Sequence, residues 1–310
     1  MISSLKIVHW NANGITKRIN ELGTFTFTNK PDIILLNETH LKSNLSLKIP
    51  NYITYRNDLP PIRGSPAHGG TAILVHRKIV HQQIDTNTKL QSTSILIKIS
   101  NKTTLISSVY KPPSSPLLTS DLDLLINSAD NFIIAGDLNS KHPLWNSRKT
   151  NAAGSILYSH LLQNDYAIFA PDTPTHFPSS NKCRPDVLDI ALIRTHLLVY
   201  VTNLNELSSD HNPILLELTD SPISTSPPPP NLQINWDKFY HTLNAEKPNT
   251  ALLTNSKQNI DISIQAFTNS IHSALDNCSY TRGRDSRRLV ISAEIQQEIN
   301  EKTESAENGN

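Results

Sequence analysis

The chain has 310 residues, 37% hydrophobic and 18% charged, a balance that suits one globular domain of roughly 200 to 250 residues with extra tail. Two cysteines, Cys183 and Cys278, stand far apart and outside any CxxC spacing, so neither a disulfide framework nor a zinc site is suggested and a reducing, intracellular compartment is expected. A net charge of +1 lacks the basic excess usual in non-specific DNA binders.

The opening Met1-Ile2-Ser3-Ser4-Leu5-Lys6 runs into an apolar stretch too short for a signal peptide, and no segment approaches a membrane span, so a soluble protein is expected. Period-two or continuous apolar runs then predict strands at 5–10, 32–36, 52–55, 71–75, 94–99, 105–110, 131–135, 166–170, 187–193 and 213–218. Helical spacing is found at 16–28, 120–129 and 154–165. So many strands with so few helices predict an α/β fold, two β-sheets packed face to face with helices outside.

At Ser221 the pattern changes to a proline-rich run ending at Pro230, whose residues favour extended polyproline conformation. The predicted organisation is a domain over 1–220, a linker over 221–234 and a partly helical tail over 235–310. In that tail Ile260, Ile264, Phe267, Ile271, Ala274 and Leu275 form a helical stripe with Asn259 as candidate cap, and the polar end is expected to be disordered. Residues 221–310 hold 8 Lys+Arg and 10 Asp+Glu, leaving 20 and 17, or +3, for residues 1–220. Several of those acids are metal-site candidates, so the remaining surface is more basic than the total suggests.

Strand after strand ends in a polar residue suited to metal or phosphate chemistry. The first runs into Asn11-Ala12-Asn13, the second into Asn37-Glu38-Thr39, the sixth into Tyr110 and the seventh into Gly136-Asp137-Leu138-Asn139; the last two bring Asp189 and Ser209-Asp210-His211-Asn212-Pro213. Singly, each such residue is also a common turn former or cap. Together they match what phosphodiester cleavage needs: a hard divalent ion held by oxygens, a polarised water, and donors for charge growing on phosphorus. Glu38 and Asp210 are candidate metal carboxylates. Asp137 is suited to orient or deprotonate a water, Asn139 and Asn11 to hold phosphate oxygens, and Tyr110 to donate to a non-bridging oxygen. His211, if oriented by Asp189, is suited to act as base or as transition-state donor. His9, His40, His68, His81, His160, His176 and His196 show no ligand spacing and are assigned nothing. An enzymatic reading requires Glu38, Asp137, Asp189, Asp210 and His211 to converge at one end of the sandwich.

These segments, from Trp10-Asn11 through Pro31 to Thr39, Gly136 to Asn139 and Ser209-Asp210-His211, resemble in order and spacing the motifs of the endonuclease/exonuclease/phosphatase superfamily. Leu188 to Leu192 resembles the segment whose aspartate orients the catalytic histidine, and Tyr110-Lys111-Pro112-Pro113 the catalytic-tyrosine segment. The resemblance spans about residues 5–219 and implies a four-layer α/β sandwich of two mixed sheets. Trp10 to Ile15, His68 to Ile73, Tyr110 to Pro113, Gly136 to Trp145 and Arg184 to Ile190 resemble the apurinic/apyrimidinic-type endonuclease domain of Jockey-like non-LTR retrotransposons.

That likeness implies a Mg²⁺-dependent endonuclease, with Mn²⁺ the alternative ion, that nicks double-stranded DNA and leaves a 3′-hydroxyl to prime reverse transcription. Its implied catalytic set is Asn11, Glu38, Tyr110, Asp137, Asn139, Asp189, Asp210 and His211, with Glu38, Asp210 and Asn11 at the metal. It further implies a nuclear site of action, no membrane, and contact with element RNA through a polymerase region. No Asp-Asp pair occurs in the sequence, so no Tyr-x-Asp-Asp polymerase site is present in it. Two positions depart from the repair enzymes: Asn13 stands where they usually carry Asp, which puts abasic-site cleavage in doubt, and Asn37 replaces the more usual Gln. Lys141, His142, Trp145, Arg148 and Lys149 combine cations with an aromatic and are the candidate DNA contacts; the competing role for Trp145 is a core anchor. Two other functions fit the same residues, a non-catalytic nucleic-acid-binding remnant and a phosphatase or phosphodiesterase on a non-DNA substrate.

Overall fold

Residues 33–36, 132–135 and 190–193 are apolar at consecutive positions, the mark of strands buried on both faces, and the fold follows from satisfying both. The computed structural model describes residues 4–60, 67–180, 182–220, 232–245 and 257–281, which fall in two units, Met1–Ile223 and Ser224–Asn310. In the first unit β1 (Ser4–Asn11) and β2 (Ile33–Asn37) pair in parallel at the centre of a six-stranded sheet. β4 (Thr71–His76) and then β3 (Tyr52–Asn57) extend it antiparallel on one side, β12 (Ile214–Thr219) and then β11 (Leu198–Asn203) on the other. The second sheet runs β5 (His81–Ile84), β6 (Gln91–Ile99), β7 (Lys102–Tyr110), β8 (Asn131–Asp137), β10 (Asp189–Arg194), β9 (Ala167–Phe169), with β7 and β8 parallel.

Alternation along each strand divides the apolar residues between two interfaces. Ile7, Ile33, Leu35, Ile106, Ile133, Ala135, Ala191 and Ile193 lie between the sheets. Val8, Trp10, Ile34 and Leu36 face outward onto Leu22 and Phe25 of α1 (Ile19–Asn29). On the opposite side Phe132, Ile134, Ile190 and Leu192 pack against α2 (Thr119–Ile126) and α3 (Ala152–Gln163). The result is the expected four-layer sandwich, two mixed sheets with helices outside. Each fully buried Leu or Ile contributes roughly 1.5–3 kcal/mol, so the inter-sheet layer is the main cohesive element.

Several local boundaries differ from the sequence reading. Edge strands β5 and β11 were not anticipated. The first helical turn, Thr16–Arg18, is 3₁₀ rather than α. α3 starts two residues before Gly154 because the Asn151 side chain caps it, accepting from Gly154 N at 2.8 Å.

In the second unit β13 (Leu232–Ile234) pairs antiparallel with β14 (Ser279–Thr281), and α4 (Trp236–Ala245) and α5 (Lys257–Cys278) lie between them in sequence. Leu232–Ile234 is therefore strand where an extended linker was expected. α5 begins at Lys257, which puts Asn259 inside the helix rather than at its cap. The proline run 221–230 and the polar end 282–310 lie outside the described residues. No described helix is long and apolar enough to cross a membrane.

Candidate active site

Parallel pairing of β1 with β2 and of β7 with β8 brings four strand carboxyl ends to one edge of the sandwich. Asn11 sits opposite Asn37 in the first sheet, and Asp137 opposite Asp189 in the second, where β10 runs antiparallel and begins at that edge. Asn37 joins the sheets: its Nδ2 donates to Ser108 Oγ at 3.0 Å and its Oδ1 accepts from Asp137 N at 2.8 Å. Gly136 has no alternative there, because a Cβ on it would lie 1.6 Å from Val109 O.

The loops after these strands are held in unusual conformations. Asn13, Glu38, His40 and Asn139 all have positive φ, between 40° and 51°, a region that side chains other than glycine's enter at a cost. Backbone bonds enforce it around Glu38: Gly14 N donates to Glu38 O at 2.8 Å, Thr39 N to Gly70 O at 3.2 Å and His40 N to Gly69 O at 2.9 Å. Gly69 and Gly70 are themselves left-handed, at φ +64° and +84°. The His68-Gly69-Gly70 segment thus cradles the Glu38 turn. On the other side, Lys111 N donates to Asp137 O at 3.1 Å and Asn139 Nδ2 to Lys111 O at 3.2 Å, which welds the Tyr110 and Asp137 loops together.

The five residues required to converge do so through a bonded network. Asn11 Nδ2 donates to Glu38 Oε1 at 2.9 Å and to Asp137 Oδ2 at 3.1 Å. The same Asp137 oxygen lies 3.8 Å from His211 Nε2. His211 Nδ1 donates to Asp189 Oδ2 at 2.7 Å, and Asp189 Oδ1 accepts from His9 Nε2 at 2.9 Å. Asn13 Nδ2 donates to Asp210 Oδ1 at 3.0 Å. Ser209 sets the histidine loop: its Oγ takes Trp10 Nε1–H at 2.9 Å and His211 N–H at 3.0 Å, and donates to Asn11 O at 2.7 Å.

Burial and charge pull these groups apart in acidity. Burial works to raise the Asp189 carboxyl, but the charge and hydrogen bond of His211, with the bond from His9, hold it far below the ordinary carboxylate range. Burial raises the Asp137 carboxyl, with Asp189 and Glu38 adding to the rise and His211 opposing it. For His211 burial disfavours the charged form, yet Asp189, Asp137 and Asp210 together lift its pKa well above the usual histidine value. The His176 imidazole, 3.8 Å away, holds Asp210 down at about 2. Burial acts to raise Glu38, and bonds from His40, Asn11 and Tyr110 outweigh it, leaving it low. Tyr110, pressed by burial and by Glu38 and Asp137, is raised far above the phenol range.

Glu38 and Asp210 keep part of their carboxylate surface exposed, 23% and 30% of the side chain, and offer the oxygen-only donors that fit a hard divalent ion. Asn11, expected at the metal, sits between the two carboxylates Glu38 and Asp137. Two carboxylates can only accept, so its Nδ2 faces them, and its Oδ1 accepts from Asn13 N at 3.1 Å; it orients Glu38 and Asp137. Tyr110 is buried beside Glu38 and Asp137.

Among the candidate DNA contacts, Trp145 is a core anchor: it is 1% exposed and its Nε1 donates to Ser140 O at 2.8 Å, so no base can stack on it. His142 stacks on Tyr158 with ring centroids 4.5 Å apart. Lys141 pairs with Asp186 at 3.0 Å and Arg148 donates to Pro185 O at 3.0 Å, while Lys149 is exposed. Three histidines set aside in the sequence, His9, His40 and His176, all touch the network. His9 carried a usable signal: it occupies the inter-sheet phase of β1, two residues after Ile7, where a polar side chain demands a partner.

Comparison with known proteins places this geometry in context. A family model described as endonuclease-reverse transcriptase matches residues 104–215, which include Tyr110, Asp137, Asn139, Asp189, Asp210 and His211. The chain is 31% identical over 305 residues to the probable RNA-directed DNA polymerase from transposon X-element of Drosophila melanogaster, covering 94% of this chain and 33% of the relative. It is 29% identical over 226 residues to the RNA-directed DNA polymerase from mobile element jockey of the same species, covering 71% and 24%. The chain thus spans a third or less of the length of these relatives. Among solved structures, the endonuclease domain of TRAS1, a telomere-specific non-LTR retrotransposon, superposes with a TM-score of 0.55 at 16% identity, covering 69% of this chain and 98% of that one.

Proposed function

The chain carries a domain of the endonuclease/exonuclease/phosphatase superfamily, of the kind found in non-LTR retrotransposons, and on that premise we propose that it nicks one strand of double-stranded DNA by hydrolysis. The cut leaves a 3′-hydroxyl, and its place of action is the nucleus, where target DNA lies. The observation that carries this reading is the network from Glu38 through Asn11 to Asp137, standing against the His211–Asp189 pair.

In this reading Asp189 fixes the His211 ring so that Nε2 faces the reacting phosphate. The raised pKa of His211 keeps that nitrogen protonated near neutral pH, a donor poised for charge developing on a phosphate oxygen. Asp137, raised by burial, is the group with the basicity to take a proton from the attacking water. Glu38 and Asp210 are the carboxylates that would hold Mg²⁺ or Mn²⁺, which supplies positive charge beside the phosphate when bound. Asn139 and Tyr110 lie beside Asp137 and Glu38, and Lys149, with the exposed flank of Arg148, would offer phosphate contacts. Any link to element RNA runs through the polymerase that the relatives are named for.

The test is conversion of supercoiled plasmid to open circles by the full chain, with Mg²⁺ or with EDTA, beside His211→Ala and Glu38→Ala. Metal-dependent nicking lost in both variants, with ends that a DNA polymerase extends directly, is the expected result. Nicking that persists in EDTA or in His211→Ala would refute the assignment. A folded parent that cuts no DNA with either ion would move the reading to a non-DNA phosphoester or to binding alone.

A further inference from the structure

Beside the oxygen-only set lies a second cluster of different chemistry. His176, Asp210 and His211 each offer one ligand atom, and these atoms lie within 4.8 Å of one another. His176 Nε2 is 3.8 Å from Asp210 Oδ2, and the two imidazole rings face each other at 4.5 Å between centroids, tilted by 42°. Tetrahedral zinc with bonds of about 2.0–2.2 Å sets its donors about 3.3 Å apart. The donors, now within 4.8 Å of one another, would have to draw together toward that separation to hold an ion.

The frame around it is already built. His176 and His211 oppose each other as a β-bridge, and His176 bridges Asp186 as well. His176 N donates to Asp186 O at 3.0 Å, Asp186 N to His176 O at 3.1 Å, Asn212 N to Thr175 O at 2.7 Å and Phe177 N to Asp210 O at 2.8 Å. The loop carrying His176 and the loop carrying Asp210 and His211 are thus locked together by backbone bonds. Asp189 holds His211 Nδ1 at 2.7 Å, which leaves Nε2 as the ring nitrogen that can take an ion, releasing its proton to solvent as the metal binds. A carboxylate behind a histidine in this way is the usual support of a metal-binding imidazole. His176 and Asp210 keep 24% and 30% of their side chains exposed, enough for an ion to enter and for water to complete four-coordination.

We propose that His176, Asp210 and His211 form a binding site for zinc, and that its occupancy switches the nuclease off. Two imidazoles and one carboxylate select a borderline-soft ion such as Zn²⁺ over Mg²⁺, which keeps to oxygen ligands. The site needs no cysteine, and its donors come from two loops distant in sequence. The switch rests on the proposed activity, because zinc at His211 Nε2 takes the position from which that nitrogen would donate to phosphate. It also takes Asp210 from the carboxylates assigned to Mg²⁺.

The experiment uses the full chain, stripped with chelator. Co²⁺, as a spectroscopic stand-in, is expected to give the visible absorption of a four-coordinate ion at one per chain, displaced by Zn²⁺; calorimetry gives the Zn²⁺ affinity directly. His176→Phe is expected to weaken that affinity by more than about 100-fold, beyond the loss seen when only a supporting residue is changed. His81→Gln, a histidine bonded to Tyr55 outside the cluster, leaves it intact. In Mg²⁺-supported nicking, half-inhibition of His176→Phe is expected to need at least about tenfold more Zn²⁺ than the parent, with circular dichroism reporting the fold of each variant. A folded parent that nicks with Mg²⁺ but binds neither Co²⁺ nor Zn²⁺, or binds them as well after His176→Phe, overturns the zinc site and leaves the activity standing. A parent that binds zinc through His176 but nicks with no ion overturns the activity and the switch, and leaves the site.

Discussion

Replacing His9 with leucine removes one of the two imidazoles that hold the Asp189 carboxylate. His9 and Asp189 are both wholly buried, and the 2.9 Å bond between them has no water to replace it. A hydrogen bond to a charged group is worth about 1.5–3 kcal/mol. Asp189 keeps its 2.7 Å bond from His211 and leucine packs among inter-sheet neighbours, so the loss should settle near 2 kcal/mol. For a unit of this size that is a fall in Tm of about 4–8 °C. The same change loosens the aspartate that aims His211, so kcat for plasmid nicking should drop about tenfold, equivalent to about 1.4 kcal/mol of barrier, while KM stays put. His9→Gln, whose Nε2 can reach the same oxygen, should restore most of kcat. Thermal unfolding and steady-state nicking of the three proteins measure both effects. If His9→Leu leaves kcat and Tm unchanged, or if glutamine is as damaging as leucine, the positioning argument fails.

The remaining predictions concern Trp145 and pH. Trp145→Ala should destabilise the first unit by about 3–5 kcal/mol, the cost of emptying a buried indole site, with any loss of DNA binding following the unfolded fraction; weaker binding by a variant of parental stability would return Trp145 to the DNA surface. The depressed Asp189 contributes stability that is present above the ordinary carboxylate pKa of about 3.9 and lost as pH falls through its lower folded value. The raised His211 contributes stability that is present below about 6.5 and lost as pH rises through its higher folded value. Their joint contribution is therefore full between about pH 4 and 6.5, although the raised Asp137 opposes it as that group ionises. Denaturant unfolding across pH should show Asp189→Asn losing most of its stability relative to the parent in that window; a constant difference from pH 3 to 9 would refute the linkage.

The layered fold was legible because β2, β8 and β10 carry consecutive apolar residues and β1 carries apolar residues on both faces, while β1, β2 and β8 run into chemistry-bearing residues and β10 begins at one. β5 was not, because His81-Gln82-Gln83-Ile84 is a sheet edge paired only with β6, and an edge strand needs little apolar character. β11 escaped for a related reason: it pairs only with β12, and its residues are exposed or half-buried. Among site residues, those within one motif were readable from local order, whereas His9 reaches Asp189 and His176 reaches Asp210 across separations no spacing rule spans; His40 is local, two residues from Glu38, but carries no ligand spacing to mark it. Trp145 was ambiguous from sequence because an aromatic beside cations suits a DNA surface and a core alike; the Ser140 carbonyl that takes its Nε1–H decides for the core.

A path of side-chain contacts runs by hydrogen bonds from Glu38 after β2 through Asn11 on β1 to Asp137 on β8, crosses a 3.8 Å ionic contact to His211, and continues by hydrogen bonds through Asp189 on β10 to His9 on β1. It therefore leaves the first sheet and comes back to it two residues from where it left. Asn37 adds a shorter crossing of its own, to Ser108 on β7 and to Asp137 N. Asp137 and Asp189 face each other within the second sheet, whereas the distance from Asp137 to His211, which precedes β12 of the first sheet, follows how closely the sheets pack over Ile7, Leu35, Ile133 and Ala135. Close-packed layers do not deform smoothly, so a core substitution that shifts one sheet moves both ends of the path together. The catalytic geometry is in this sense a property of the inter-sheet core, and the positive-φ loops around Glu38 and Asn139 are the strain that the core holds in place.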